Sequence, residues 1–148
     1  MRKPPGSRSD YMHFQQHSTR WNDNDTYGHL NNVVHYQLFD TTVNEWLIRR
    51  GILDPRHSPV IGLVAETGCR YFGEMSFPQQ ITCGLRVATL GNSSVRYEMG
   101  LFPEESEIAT AEGFLIHVYV DARTRRPSTL PAATRTALSA LVRGDGAS

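Results

Sequence analysis

Two hydrophobic periods divide this chain. From Asn32 to Arg50 the apolar residues recur at helical spacing: Tyr36, Phe39, Val43, Trp46 and Leu47 form one stripe, with Gln37, Asn44 and Arg49 largely on the other side. Such a helix is about 28 Å long at ~1.5 Å per residue. Asn31 or Asn32 suits its N-cap, because an amide oxygen can accept an unpaired backbone N–H. Gly51, after the basic pair Arg49 and Arg50, is a stop signal. From Pro59 onward the period is two. Ile61, Leu63, Ala65, Thr67, Cys69 and Tyr71 alternate with a mixed set; Ile81, Cys83, Leu85 and Val87 follow, then Val95, Tyr97, Met99 and Leu101. Gly91 and Asn92 mark a hairpin turn, and Pro103 to Ser106 the next. In the last strong strand, Leu115, His117 and Tyr119 face away from Phe114, Ile116, Val118 and Val120. A weaker strand is expected over His13 to Trp21, and a short helix over Ala132 to Arg143.

The order is strand, long helix, then four strands joined by hairpin-like turns. One helix covers only one face of a sheet, so the expected class is α+β, with a curved antiparallel sheet wrapped around one central helix. We expect a flexible N-terminal tail over residues 1–12, a single domain over 13–143 and a C-terminal tail over 144–148. An open sheet edge favours self-association.

The chain has 148 residues, enough for one sizeable core. Fifteen basic and fifteen acidic residues cancel, which gives no reason to expect a nucleic-acid or membrane partner. No apolar run approaches the roughly 20 residues of a membrane span. Cys69 and Cys83 sit in strand-like segments with no metal-ligand spacing, so buried free thiols, a reducing compartment and a soluble cytoplasmic protein are expected. The histidines share no ligand spacing; no metal and no cofactor are expected.

The densest chemistry lies between the first strand and the helix. Asp23 and Asp25 precede Gly28-His29-Leu30-Asn31-Asn32. Unpaired N–H groups at a helix start favour negative charge on an oxygen. A nearby carboxylate can then work on the carbon beside it. Gly28 lacks a Cβ and lets a ligand approach the backbone. His29 can orient the loop or donate to a ligand, or simply bond to backbone. Asp23 reads as a turn or cap residue.

The motif Asp-x-Asp-x-x-Gly-His-x-Asn-Asn, from Asp23 to Asn32, with Phe39-Asp40-Thr41 on the following helix, resembles the hotdog-fold acyl-CoA thioesterases, the relatives of 4-hydroxybenzoyl-CoA thioesterase. Leu90-Gly91-Asn92-Ser93-Ser94 and His117-Val118-Tyr119-Val120-Asp121, with Arg125-Arg126-Pro127, fit the same pattern, and the resemblance covers about residues 13–131. It implies that Asp25 is the catalytic carboxylate, as general base or nucleophile. It also implies that amides between His29 and Val33, Asn32 foremost, hold the thioester oxygen. Many relatives carry Tyr at the position of His35; here Tyr36 follows it, which bears on the shape of the acyl pocket. Glu66 in the second strand either approaches the site from a partner subunit or is solvated. An acyl-CoA substrate needs basic residues for its phosphates, and Arg123, Arg125 and Arg126 are candidates. A homodimer, often paired into a homotetramer, is implied. Two other readings stand beside hydrolysis. One is a non-catalytic acyl-CoA-binding module. The other is an enoyl-thioester hydratase, whose Asp-x₄-His spacing neither Asp23 nor Asp25 makes with His29.

Overall fold

Helix α1 (Asn32–Arg49) forms where the stripe predicts it. Phe39, Val43, Trp46 and Leu47 are buried, while Tyr36 is only half-buried. Gly51, at φ +71°, ends the helix in a conformation that favours glycine. In this computed structural model, which describes residues 3–143, the expected tail over 144–148 lies outside the described residues. Five strands form one sheet: β1 (His13–Ser18), β2 (Val60–Tyr71), β3 (Gln80–Leu90), β4 (Ser94–Pro103) and β5 (Ala111–Asp121). Their order is β1-β3-β4-β5-β2, every neighbouring pair is antiparallel, and the curved sheet wraps α1 in the hotdog fold.

The core lies between α1 and the inner face of the sheet. Ile81, Cys83 and Leu85 of β3, Val95, Tyr97, Met99 and Leu101 of β4, and Leu115 of β5 meet the helix stripe there. Each comes from the alternate set that a period of two sends to one face. Both cysteines are free thiols; Cys83 is buried as expected, whereas Cys69 is only half-buried, and burial pushes them up to about 12 and about 11.

Two expected elements end early. β1 stops at Ser18, because Asp23 folds back onto the Arg20 N–H and tightens Trp21–Asp23 into a 3-10 turn. The last helix, α2 (Ala132–Ser139), stops short of Arg143, because the Leu141 carbonyl accepts the Val87 N–H and draws the chain onto β3. Residues 6–12, expected within a flexible tail, are docked. Ala109 donates to the Gly6 carbonyl and Arg8 to that of Glu107. Tyr11 is buried with Phe102 and Ala109 in a second, smaller core.

β2 is an edge strand. Its middle is exposed, Leu63 and Val64 included, and a bulge falls between Val64 and Glu66. α1 lies so that its start meets the Tyr71 end of β2, where the His35 and Tyr71 rings are 4.9 Å apart. No described helix is long and apolar enough to cross a membrane.

Candidate active site

The loop from Asn24 to Asn31 is tied down on both sides before it presents any chemistry. On one side, Asp23 is buried; it accepts the Arg20 N–H at 2.7 Å and the Arg20 guanidinium at 3.1 Å. The Asp23 carbonyl accepts the Asn31 N–H at 2.8 Å. On the other, Leu30 donates to the Met75 carbonyl at 2.6 Å, and Asn24 Oδ1 accepts the Phe77 N–H at 3.0 Å. Asp23 is thus bound into the frame of the loop.

Asp25 sits inside this frame, half-buried. Its Oδ1 accepts the N–H of Tyr27 at 2.9 Å and of His29 at 3.2 Å. No described residue donates to Oδ2. Gly28, at φ +82°, makes the turn that brings both amides round, and its own N–H donates to the Asp25 carbonyl at 3.1 Å. His29 Nε2 lies 3.0 Å from Glu74 Oε2. Glu74 was not singled out from the sequence; nothing local marks an acid just beyond β2 as the partner of His29.

The amides at the helix start can be accounted for one by one. Gly28, His29, Leu30 and Asn31 are spent as above. Asn31 is the N-cap, and its Oδ1 accepts the Val33 N–H at 3.0 Å. Val34 donates to the Asn31 carbonyl at 2.9 Å. The N–H of Asn32 has no partner among the described residues. His35, buried one turn on, places Nδ1 3.2 Å from the Asn31 carbonyl and steadies the cap. Burial pushes its imidazole down from the ordinary value.

The fold therefore gathers Asp25, Gly28, His29 and Asn32 at one loop–helix junction. It does not bring Glu66 or the three arginines to them within one chain. Glu66 is exposed on the free edge of β2. Arg123, Arg125 and Arg126 are exposed on the turn after β5, and Ala122 ties that turn to Pro59 at the start of β2. The Asp25 loop lies by the other end of that strand, which spans roughly 36 Å at ~3.3 Å per residue. None of the three guanidinium groups bonds to a described residue. An unpaired helix-start N–H can polarise a carbonyl, and a carboxylate oxygen on the same loop can act on its carbon.

A family model described as the thioesterase-like superfamily matches residues 19–138. A protein of Pseudomonas aeruginosa strain PAO1, solved in an orthorhombic crystal form, is 52% identical and superposes with a TM-score of 0.92, covering 95% of this chain and 99% of that one. A second Pseudomonas aeruginosa protein, described as a candidate thioesterase, is 26% identical with a TM-score of 0.80, covering 86% and 98%. A 1,4-dihydroxy-2-naphthoyl-CoA thioesterase from Synechocystis shares the fold at 14% identity, with a TM-score of 0.78 over 85% and 94%. No curated protein matches the chain.

Proposed function

The chain belongs to the thioesterase-like superfamily and is a hotdog-fold thioester hydrolase; from that premise we propose that it cleaves an acyl-CoA to the free acid and CoA, with Asp25 as the reacting carboxylate. The observation that carries this is that one loop–helix junction holds both Asp25, whose Oδ2 accepts from no described residue, and the Asn32 N–H, which has no described partner.

Water adds to the thioester carbon and gives its proton to Asp25 Oδ2, while the carbonyl electron pair moves onto oxygen. The Asn32 N–H and the helix dipole stabilise that oxygen. Collapse breaks the carbon–sulfur bond, and the departing thiolate takes up a proton. Direct addition of Oδ2 to the carbon, through an anhydride, is the alternative that the same geometry serves. Gly28 keeps the approach open, and His29, anchored by Glu74, holds the loop.

The free edge of β2 supports a homodimer, with a homotetramer as the larger assembly. Two such edges pairing antiparallel bring the Val60 end of one strand to the Tyr71 end of the other. The turn carrying Arg123, Arg125 and Arg126 in one copy then faces the Asp25 loop of the second, where its free guanidinium groups can meet the phosphates of CoA. Glu66 comes to the interface in the same pairing. The two free thiols suit a cytoplasmic setting.

The test is thiol release from a panel of acyl-CoA substrates by the wild type and Asp25→Ala. Hydrolysis by the wild type and its loss in the variant support the assignment; unchanged activity in the variant removes Asp25 from the chemistry.

A further inference from the structure

On the face of the sheet turned away from α1 lies a cavity of about 630 Å³. Arg86 of β3, Glu98 of β4 and Phe114 of β5 reach it because they alternate with the core-facing residues of their strands. The docked N-terminal segment and residues 142–143 wall it in, and Gly68 and Arg70 close it on the β2 side. None of Asp25, Gly28, His29 and Asn32 lines it.

Five cations face three carboxylates in this cavity: Lys3, Arg70, Arg86, Arg96 and Arg143 against Asp10, Glu98 and Glu112. Every carboxylate oxygen is already bonded. Glu98 takes Arg86 on Oε1, at 2.8 and 3.0 Å, and Arg96 on Oε2 at 3.2 Å. Asp10 takes Arg143 on Oδ1 and the Ser7 N–H on Oδ2, both at 2.9 Å. Glu112 takes the Gly6 N–H on Oε1 and the Tyr11 hydroxyl on Oε2. The cations keep donors in reserve. Arg96 gives only its Nε and Arg143 only one terminal nitrogen, and no described residue accepts from Arg70 or Lys3. The cavity therefore offers N–H donors, with no unpaired carboxylate oxygen to compete and two positive charges in excess. Arg96 is also held in place: its guanidinium carbon is 4.1 Å from the centre of the Phe114 ring, and that ring lies over Gly68, where a Cβ would meet it at 2.6 Å.

We propose that this cavity binds the phosphomonoester of a small organic molecule. Such a group carries about −1.5 to −2 charges near neutral pH and three acceptor oxygens. That matches both the excess charge and the guanidinium donors left over. The volume exceeds what a phosphate alone fills and is of the size that holds a small molecule. Phe114, Ala88 and Val142 give the organic part an apolar wall.

The test is calorimetric titration of the full chain with phenyl phosphate, ribose 5-phosphate and inorganic phosphate. The wild type should bind at least one ester at one site per chain, about tenfold or more tighter than inorganic phosphate. Arg70→Gln and Arg96→Gln should each weaken that binding by about tenfold or more. Arg70 is exposed and makes no ion pair with a described residue, so its substitution should leave the melting temperature of the free protein unchanged; if Arg96→Gln fails to fold, Arg70→Gln decides. The triple variant Arg123→Gln, Arg125→Gln and Arg126→Gln should bind the ester as the wild type does. No ester binding, or binding no tighter than that of inorganic phosphate, overturns the proposal. So does ester binding that survives Arg70→Gln, or that is lost in the triple variant, which moves the phosphate to the turn after β5. Thioester hydrolysis is read separately by thiol release, and its outcome leaves this test unaffected.

Discussion

Asp25 and His29 are bonded to each other twice: the Asp25 N–H donates to the His29 carbonyl at 2.7 Å, and the His29 N–H donates to Asp25 Oδ1 at 3.2 Å. The closed ring sets the carboxylate in one orientation. One oxygen belongs to the loop, and the other has no donor among the described residues. Side-chain and backbone conformations are settled before any ligand arrives, which is the preorganisation that catalysis by a carboxylate requires.

Asp25→Asn separates the two roles of this side chain. The amide oxygen still accepts from Tyr27 and His29, so the turn survives, but no carboxylate remains. We expect acyl-CoA hydrolysis to fall by about 10²–10⁴-fold with the melting temperature nearly unchanged. A rate within threefold of wild type, measured by thiol release, contradicts the assignment.

Asn32→Pro deletes one N–H and little else. Asn32 is the first helical residue, where proline is well tolerated, and Asn31 before it is already extended at φ −62° and ψ 140°. The expected result is a fold preserved by circular dichroism and a kcat lowered by about 10²–10³-fold. Full activity in a folded variant removes this amide from oxyanion binding.

Asp23→Ala should behave in the opposite way. It removes a buried acceptor of the Arg20 N–H and guanidinium, which costs about 1–3 kcal/mol in chemical denaturation. Activity per folded molecule should change far less than in Asp25→Asn. If stability is unaffected, Asp23 is not the frame residue described above.

Docking of the N-terminal segment can be probed through Tyr11. A Cβ at Gly84 or Gly100 falls 2.8 Å from Tyr11 atoms. Gly84→Ala and Gly100→Ala should each cost about 1–3 kcal/mol by overpacking. In a Tyr11→Ala background most of that penalty should disappear, because the clash is gone. Additive losses would show that Tyr11 does not occupy this pocket in solution.

Acid should destabilise the protein, and His117 contributes. Burial lowers its folded value to about 4 from the ordinary 6.5. Across that window the unfolded chain binds a proton that the folded ring refuses, so stability rises with pH and is lost on acidification. From about pH 7 to about pH 5 this residue accounts for about 2 kcal/mol. His13, His17 and His35 are shifted down by burial too and add losses of the same sign. Urea unfolding of His117→Asn should therefore show a shallower pH dependence than wild type; an identical slope rules out this contribution.

The apolar stripe of α1, a cap within the Asn31–Asn32 pair and the Gly51 stop were legible in the sequence because each is a local arrangement. The alternation in β3, β4 and β5 was legible for the same reason. The Asp25 loop was legible as a motif, since its turn chemistry runs only from Asp25 to His29. The ends of β1 and α2 were less so, because each is set by a partner off the element: the Asp23 side chain and the Val87 N–H.

The sequence by itself determined where the Asp25 turn and the helix start lie and which period each segment follows, because periodicity, capping and turn formation act over a few residues. Only the tertiary structure decided which helix-start amide stays free. That depends on Met75 taking the Leu30 N–H and on the Asp23 carbonyl taking that of Asn31. It likewise decided that Tyr11 finds its pocket over Gly84 and Gly100, and that His117 is buried against Gly62 of β2. Each of these rests on strand register and on packing between residues far apart in the chain, and no local pattern encodes such contacts.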